Sequence, residues 1–142
     1  AETFLQHFLD CQGVLFFTGV GKSGLVAEKI AVTMTSTGSR DLFLSPTNAL
    51  HGDLGIVTEK DLVVMISKSG ESDELVSLVP AIRNKGAKVI GVVCQPGSRL
   101  EAACDEAVIL PFQGELCPYN MAPTTSTVSQ MLFGDLLAVA LM

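Results

Sequence analysis

The sequence predicts an α/β domain: a doubly wound parallel sheet of five strands in the order 2-1-3-4-5, with helices on both faces. Three observations carry this. Residues 62–66 are a continuous apolar run, too short for a helix and without alternation, as in a strand covered on both faces. Runs of that kind alternate with stretches of helical spacing, which implies parallel pairing through crossover helices. Glycine, serine and lysine gather after strands one and three, which flank the switch point where open α/β sheets bind ligands.

Taken in order, Phe4, Leu5, Phe8 and Leu9 form a helical stripe that ends near Cys11-Gln-Gly13 and leaves His7 on its wet face. Residues 14–18 are the first buried strand. A helix follows with apolar positions Leu25, Val26, Ile30, Ala31 and Met34, stopping near Gly38. Residues 42–44 are a short second strand, and 45–55 a long connection broken by Pro46, Gly52 and Gly55. After strand three, Leu75, Val76, Leu78, Val79 and Ile82 set a helix over 72–85. Strand four covers 88–94, Gln95-Pro-Gly97 turns, and 99–104 is a short helix before strand five at 107–110. A second long connection occupies 111–123. A helix over 124–142 closes the chain, with Val128, Met131, Leu132, Leu136, Leu137, Val139 and Ala140 apolar. No repeat or linker interrupts this, so residues 1–142 read as one domain.

Composition narrows the function. The net charge of −6 argues against broad attraction to nucleic acid or an anionic membrane, so any phosphate must be held by local groups. Apolar residues make up 48% without a membrane-spanning run. The four cysteines, Cys11, Cys94, Cys104 and Cys117, form no C-x-x-C pair. With an α/β pattern they read as reduced thiols of a cytoplasmic protein, Cys94 in the core. No secretory leader pattern is visible. The start at Ala1 and the stop at Met142 inside an apolar run suggest a domain excised from a longer chain.

The loop after strand three, Ser67-Lys-Ser-Gly-Glu-Ser72, brings three hydroxyls and one ammonium to a helix start. Free N–H groups and the helix dipole favour an anion there, a phosphate ester above all. One serine would satisfy a cap, worth about 1 kcal/mol; three plus Lys68 exceed that need. Gly19-Val-Gly-Lys-Ser-Gly24 matches the dinucleotide fingerprint G-x-G-x-x-G. The matching acid could only be Asp41, which precedes strand two instead of following it. A P-loop would need glycine where Phe16 stands. The segment therefore reads as a tight turn that exposes N–H groups, with Gly21 in the turn and Lys22 and Ser23 open to a ligand.

Four more residues are candidates. Glu71 and Asp73 suit the helix dipole, but Glu74 lies one turn in, within reach of a bound ligand. His51, in a glycine-flanked loop, is an acid/base candidate, with Asp53 either orienting it or closing an Asx-turn. Glu115, an acid in an otherwise uncharged loop over the same sheet edge, is a base candidate. Thr124 belongs to Pro123-Thr-Thr-Ser-Thr127, where one hydroxyl caps the last helix and the others can line the site.

With these segments placed, the chain resembles sugar isomerase (SIS) domains, and within them the arabinose 5-phosphate isomerases. The matching stretches are Thr18-Gly-Val-Gly-Lys-Ser-Gly24, His51-Gly-Asp-Leu-Gly55, Ser67-Lys-Ser-Gly-Glu-Ser72, Glu115-Leu-Cys-Pro118, Ala122-Pro-Thr-Thr-Ser-Thr127 and Gly134-Asp-Leu-Leu-Ala-Val-Ala-Leu141. The resemblance implies a flavodoxin-like sheet. It implies interconversion of D-ribulose 5-phosphate and D-arabinose 5-phosphate, a step leading to the sugar acid Kdo and so to lipopolysaccharide. It implies phosphate held by Ser23, Ser67, Ser69 and Ser72 with Lys68 nearby, and Lys22, His51, Glu74 and Glu115 as the chemical set. It also implies a tetramer in which His51 reaches a neighbour's site. Two features common in that family, a His-Pro-Gly-Gly segment just beyond the last helix and paired CBS domains, do not occur in residues 1–142.

Aldose–ketose exchange moves a proton between neighbouring carbons through an enediol and requires neither a redox cofactor nor, on this reading, a metal. We expect Glu115 to be the carbon base, Lys22 to stabilise the enediolate oxygen, His51 to help open the sugar, and Glu74 to orient hydroxyls or share the proton work. Two other readings stand beside this one. A phosphosugar-binding module that senses without turnover would bind but not exchange the C2 proton. A nucleotide-binding domain would be stabilised by NAD or ATP and not by sugar phosphates.

Overall fold

The computed structural model describes residues 2–142. Its strands are β1 (Leu15–Gly19), β2 (Asp41–Phe43), β3 (Leu62–Ser67), β4 (Lys88–Val93) and β5 (Glu106–Ile109). They form one sheet, parallel throughout as the alternation of strands and helices predicts, in the order β2-β1-β3-β4-β5 expected of the common doubly wound arrangement. The helices are α1 (Glu2–Leu9), α2 (Gly21–Ser36), α3 (Pro46–Leu50), α4 (Asp73–Asn84), α5 (Arg99–Ala103) and α6 (Thr125–Ala140).

Side chains of a strand alternate between its faces, and here both faces are covered. Leu15, Phe17, Leu62, Val64, Ile66, Ile90 and Val92 meet Phe8 of α1, Val26, Ala27, Ile30 and Met34 of α2, and Leu137 and Ala138 of α6. On the other face Phe16, Val63, Met65, Val89 and Val93 meet Ala49 of α3, Leu75, Leu78, Val79 and Ile82 of α4, and Leu100 of α5. Burying each large apolar side chain contributes roughly 1.5–3 kcal/mol, so the sheet is secured from both sides. All four cysteines are free thiols, and Cys94 is buried.

Three details depart from the periodicity. The connection at 45–55 is ordered: Ser45 caps α3 by accepting from Asn48 N at 3.3 Å, with Pro46 in the first turn, and a 3₁₀ turn spans Asp53–Ile56. His7 is not simply solvated, because its Nε2 lies 2.7 Å from Glu106 Oε2 and ties α1 to β5. Leu25 of α2 and Val128, Leu132, Leu136 and Val139 of α6 are exposed, although all are among the apolar positions that mark those helices in the sequence. The inward surface of α6 is instead built from Ser126, Gln130, Gly134, Leu137 and Ala138.

β1 and β3 pair directly, with Thr18 opposite Met65 and Gly19 opposite Ile66. Adjacent strands lie about 4.8 Å apart. The turns that leave these two strands are therefore neighbours at the carboxyl edge of the sheet.

Candidate active site

The turn after β3 is built by its own polar groups. Ser67 is buried, and its Oγ accepts from Gly70 N at 2.9 Å and lies 3.4 Å from Ser72 Oγ. Gly70 has φ +69°, and a Cβ there would lie 2.1 Å from Ser98 Oγ, so both conformation and space require glycine. Ser69 is exposed and accepts from Glu71 N at 3.1 Å, which leaves its proton free for a ligand. Ser72 is the N-cap residue of α4 but makes no side-chain cap bond. The positive end of α4 is thus open toward the loop.

Arg99, at the start of α5, braces this loop from outside. Its backbone N donates to Glu71 Oε1 at 3.0 Å and its Nε to Glu71 Oε2 at 2.7 Å. Its Nη2 donates to the Glu71 carbonyl at 2.9 Å and to Asp73 Oδ1 at 2.7 Å. Leu100 N adds a bond to the Gly70 carbonyl at 3.0 Å. Hydrogen bonds from the Arg99 side chain, then from its backbone, hold the Glu71 carboxyl below its usual range. Glu71 and Asp73 therefore anchor Arg99 as well as matching the helix dipole.

In the turn after β1, Gly21 has φ +61°, and Val20, the N-cap residue of α2, makes no side-chain cap bond. Lys22 is exposed, with no ion-pair partner among the described residues. Ser23 Oγ is engaged by the amide of Gln130 on α6.

Lys68 and Glu115 depart from expectation together. Lys68, expected to hold a phosphate, is engaged elsewhere: its Nζ lies 2.8 Å from Glu115 Oε2 and 5.1 Å from the centre of the Phe112 ring. Glu115 accepts from Thr124 N at 3.1 Å, Ser126 N at 2.9 Å and Ser126 Oγ at 2.7 Å, and its side chain has no exposed surface. Burial pushes this carboxyl up, but hydrogen bonds from Lys68, the Ser126 backbone and hydroxyl and the Thr124 backbone outweigh it and hold the pKa down to about 2. A carboxylate this well satisfied is a weak base, and it anchors the start of α6. Thr124, expected to line the site, instead closes the loop, accepting from Leu116 N at 2.9 Å and donating to the Ala122 carbonyl at 3.3 Å.

Glu74 is in a different position. It is exposed in the first turn of α4, with no side-chain hydrogen bond or ion pair among the described residues. It borders a cleft of about 300 Å³ lined also by Gly19, Val20, Gly21, Glu28, Ser45 and Thr47. The cleft lies where β1 and β2 end and the open start of α4 arrives. His51 is exposed at the far end of α3, about 6–7.5 Å along from the Pro46 and Thr47 that line the cleft. Sequence reasoning missed Arg99 and Gln130 as members of this region, and neither carried a signal; Ser126 was included only as one of the hydroxyls that open α6.

Comparison with known proteins agrees with this arrangement. The family described as SIS domain matches residues 8–140. "Arabinose 5-phosphate isomerase KpsF" of Escherichia coli O6:H1 strain CFT073 is 43% identical over 140 residues, covering 99% of this chain and 43% of that protein. An uncharacterized protein of Chlamydia pneumoniae is 48% identical over 141 residues, covering 99% of this chain and 42% of its own length. The chain thus spans less than half the length of these curated relatives. A solved structure of E. coli CFT073 c3406 in complex with arabinose 5-phosphate superimposes with a TM-score of 0.95 at 37% identity, covering 99% of this chain and 74% of that one. Fold, loops and likeness converge, and the chain belongs to the SIS domain family.

Proposed function

We propose that this chain is the sugar-phosphate domain of an aldose–ketose isomerase that interconverts D-ribulose 5-phosphate and D-arabinose 5-phosphate through an enediol. The observation that carries this reading is 43% identity to KpsF across 99% of the chain. The geometry supports it: two adjacent turns offer N–H groups and hydroxyls beside a cleft bordered by a carboxylate. In this reading the phosphate lies between Ser23 and the loop of Ser69 and Ser72, while Ser67 shapes that loop from within. The carbonyl end enters the cleft next to Glu74. Lys22, on the first turn of α2, stabilises the enediolate oxygen as it forms. His51 assists ring opening from α3 or from a neighbouring copy.

The surroundings of the two carboxylates favour Glu74 over Glu115 as the base. A base must accept a proton from carbon, and Glu115 already accepts four hydrogen bonds at a pKa of about 2. Glu74 has an open carboxylate at the cleft. The expectations of a homo-oligomer, a cytoplasmic setting and a place before Kdo belong to this same proposal.

A sensing module with little turnover is the second reading, and the closed Lys68–Glu115 pair favours it. Proton NMR of D-arabinose 5-phosphate in deuterated water tests both. An isomerase exchanges the C2 proton for deuterium at a rate proportional to the protein added. Saturable binding without exchange overturns the isomerase reading and leaves the module.

A further inference from the structure

Gln130 is a large polar side chain in a covered interior, only 1% exposed. It lies in the second turn of α6, on the surface that meets α2. One turn later Gly134 lets the helices approach, since a Cβ there would lie 2.3 Å from Ile30 Cγ1. The approach brings the Gln130 amide to Ser23, with Ser23 Oγ 3.3 Å from Oε1 and 3.2 Å from Nε2. No other side-chain partner of Gln130 occurs among the described residues.

A buried amide with one hydroxyl for company is costly, and a methionine would fill the same slot without polar atoms to satisfy. Packing therefore does not explain the residue. The partner does: Ser23 stands in the turn that we read as half of the phosphate site. A serine hydroxyl has one proton and two lone pairs. When the proton goes to Oε1, none is left for a ligand. When Nε2 donates to Oγ, the proton is released for a phosphoryl oxygen.

We propose that Gln130 is a positioning residue of the sugar-phosphate site, whose Nε2 donates to Ser23 Oγ and so directs the Ser23 proton to the phosphate. The inference rests on the phosphosugar reading above and extends it to a residue of the last helix.

Calorimetric titration with D-arabinose 5-phosphate tests it in the wild type, Q130E, Q130M, S23A and the two double variants. In Q130E an acceptor replaces the donor and draws the Ser23 proton to itself, so affinity falls about tenfold (~1.4 kcal/mol). Q130M removes the donor and loses roughly threefold. In the S23A background neither substitution lowers affinity further, which separates positioning from a general effect on the fold. If Q130E does not fold, as a melting curve shows, the Q130M cycle decides. Unchanged affinity in the Gln130 variants, or an equal loss with and without the Ser23 hydroxyl, overturns the inference alone. A wild type that binds no sugar phosphate overturns the phosphosugar reading and the inference with it.

Discussion

Lys68 Nζ lies 2.8 Å from a Glu115 carboxylate that has no exposed surface. The pair joins the turn after β3 to the start of α6, and the Ser126 and Thr124 N–H groups complete the carboxylate's shell. The carboxyl titrates at about 2 in the folded chain against an ordinary value of 4.5. A carboxyl depressed on folding contributes stability that is fully present above its unfolded value and lost as pH falls through its folded value. The Glu115 contribution should therefore be complete above pH 4.5 and fade toward pH 2. E115Q removes the charge and keeps the shape. We expect its melting temperature at pH 7 to lie roughly 5 °C below wild type. The two melting curves should converge on acidification, and a gap that stays constant down to pH 2 would refute the assignment.

The same pair sets a kinetic expectation. If Glu74 is the base, E74Q should lower turnover by about 10³-fold with little change in KM, the range that general-base loss produces. E115Q should disturb substrate affinity and stability more than the chemical step. Deuterium exchange at C2 by the two variants, measured side by side at saturating sugar phosphate, decides between them. Exchange retained in E74Q and abolished in E115Q would restore Glu115 as the base.

The strands were legible because burial on both faces leaves continuous apolar runs, as at Leu62–Ser67; their order was not, since alternation with helices fixes parallel pairing alone and 2-1-3-4-5 is one common doubly wound arrangement among others. The two loops were legible because hydroxyls, glycine and lysine concentrate at strand ends. Partnerships between distant side chains were not. Nothing in the spacing of Lys68 or Glu115 says that they meet, so Lys68 reads as a phosphate ligand and Glu115 as a free base. Helix α6 misleads in the opposite way. Its apolar residues occupy both faces, so periodicity alone does not say that Val128 and Leu132 look outward while Gln130 is covered. The order at 45–55 did carry a signal, Ser45 followed by Pro46, but the glycines after it read more strongly as breakers.

Arg99 offers a test of preorganisation. It spans Glu71 and Asp73 with one planar fork and its own backbone N–H, and so fixes the loop that carries Ser69 and Ser72. R99A should weaken sugar-phosphate binding about tenfold by restoring freedom that the loop must lose on binding. R99K keeps the charge but not the fork and should recover only part of that loss. Calorimetry on the two variants reads this directly, and R99A binding as tightly as wild type would show that the loop holds its shape unaided.

The exposed faces of α2 and α6 bear on assembly. Val128, Leu132, Leu136 and Val139 form one stripe along α6, and Leu25 and Val32 are exposed on the adjoining α2. Lys29 of α2 pairs with Asp135 of α6, so these two charges neutralise each other between the helices. An exposed apolar stripe like that of α6 is suited to a contact, and a second copy would offer it an equally apolar partner. The chain should then sediment above its monomer mass at micromolar concentration. L132E, at an outward position that leaves the core untouched, should shift it toward the monomer while the melting transition stays cooperative. A wild type that sediments as a monomer at these concentrations would remove the self-association reading, and with it the expectation that His51 serves a neighbour's site.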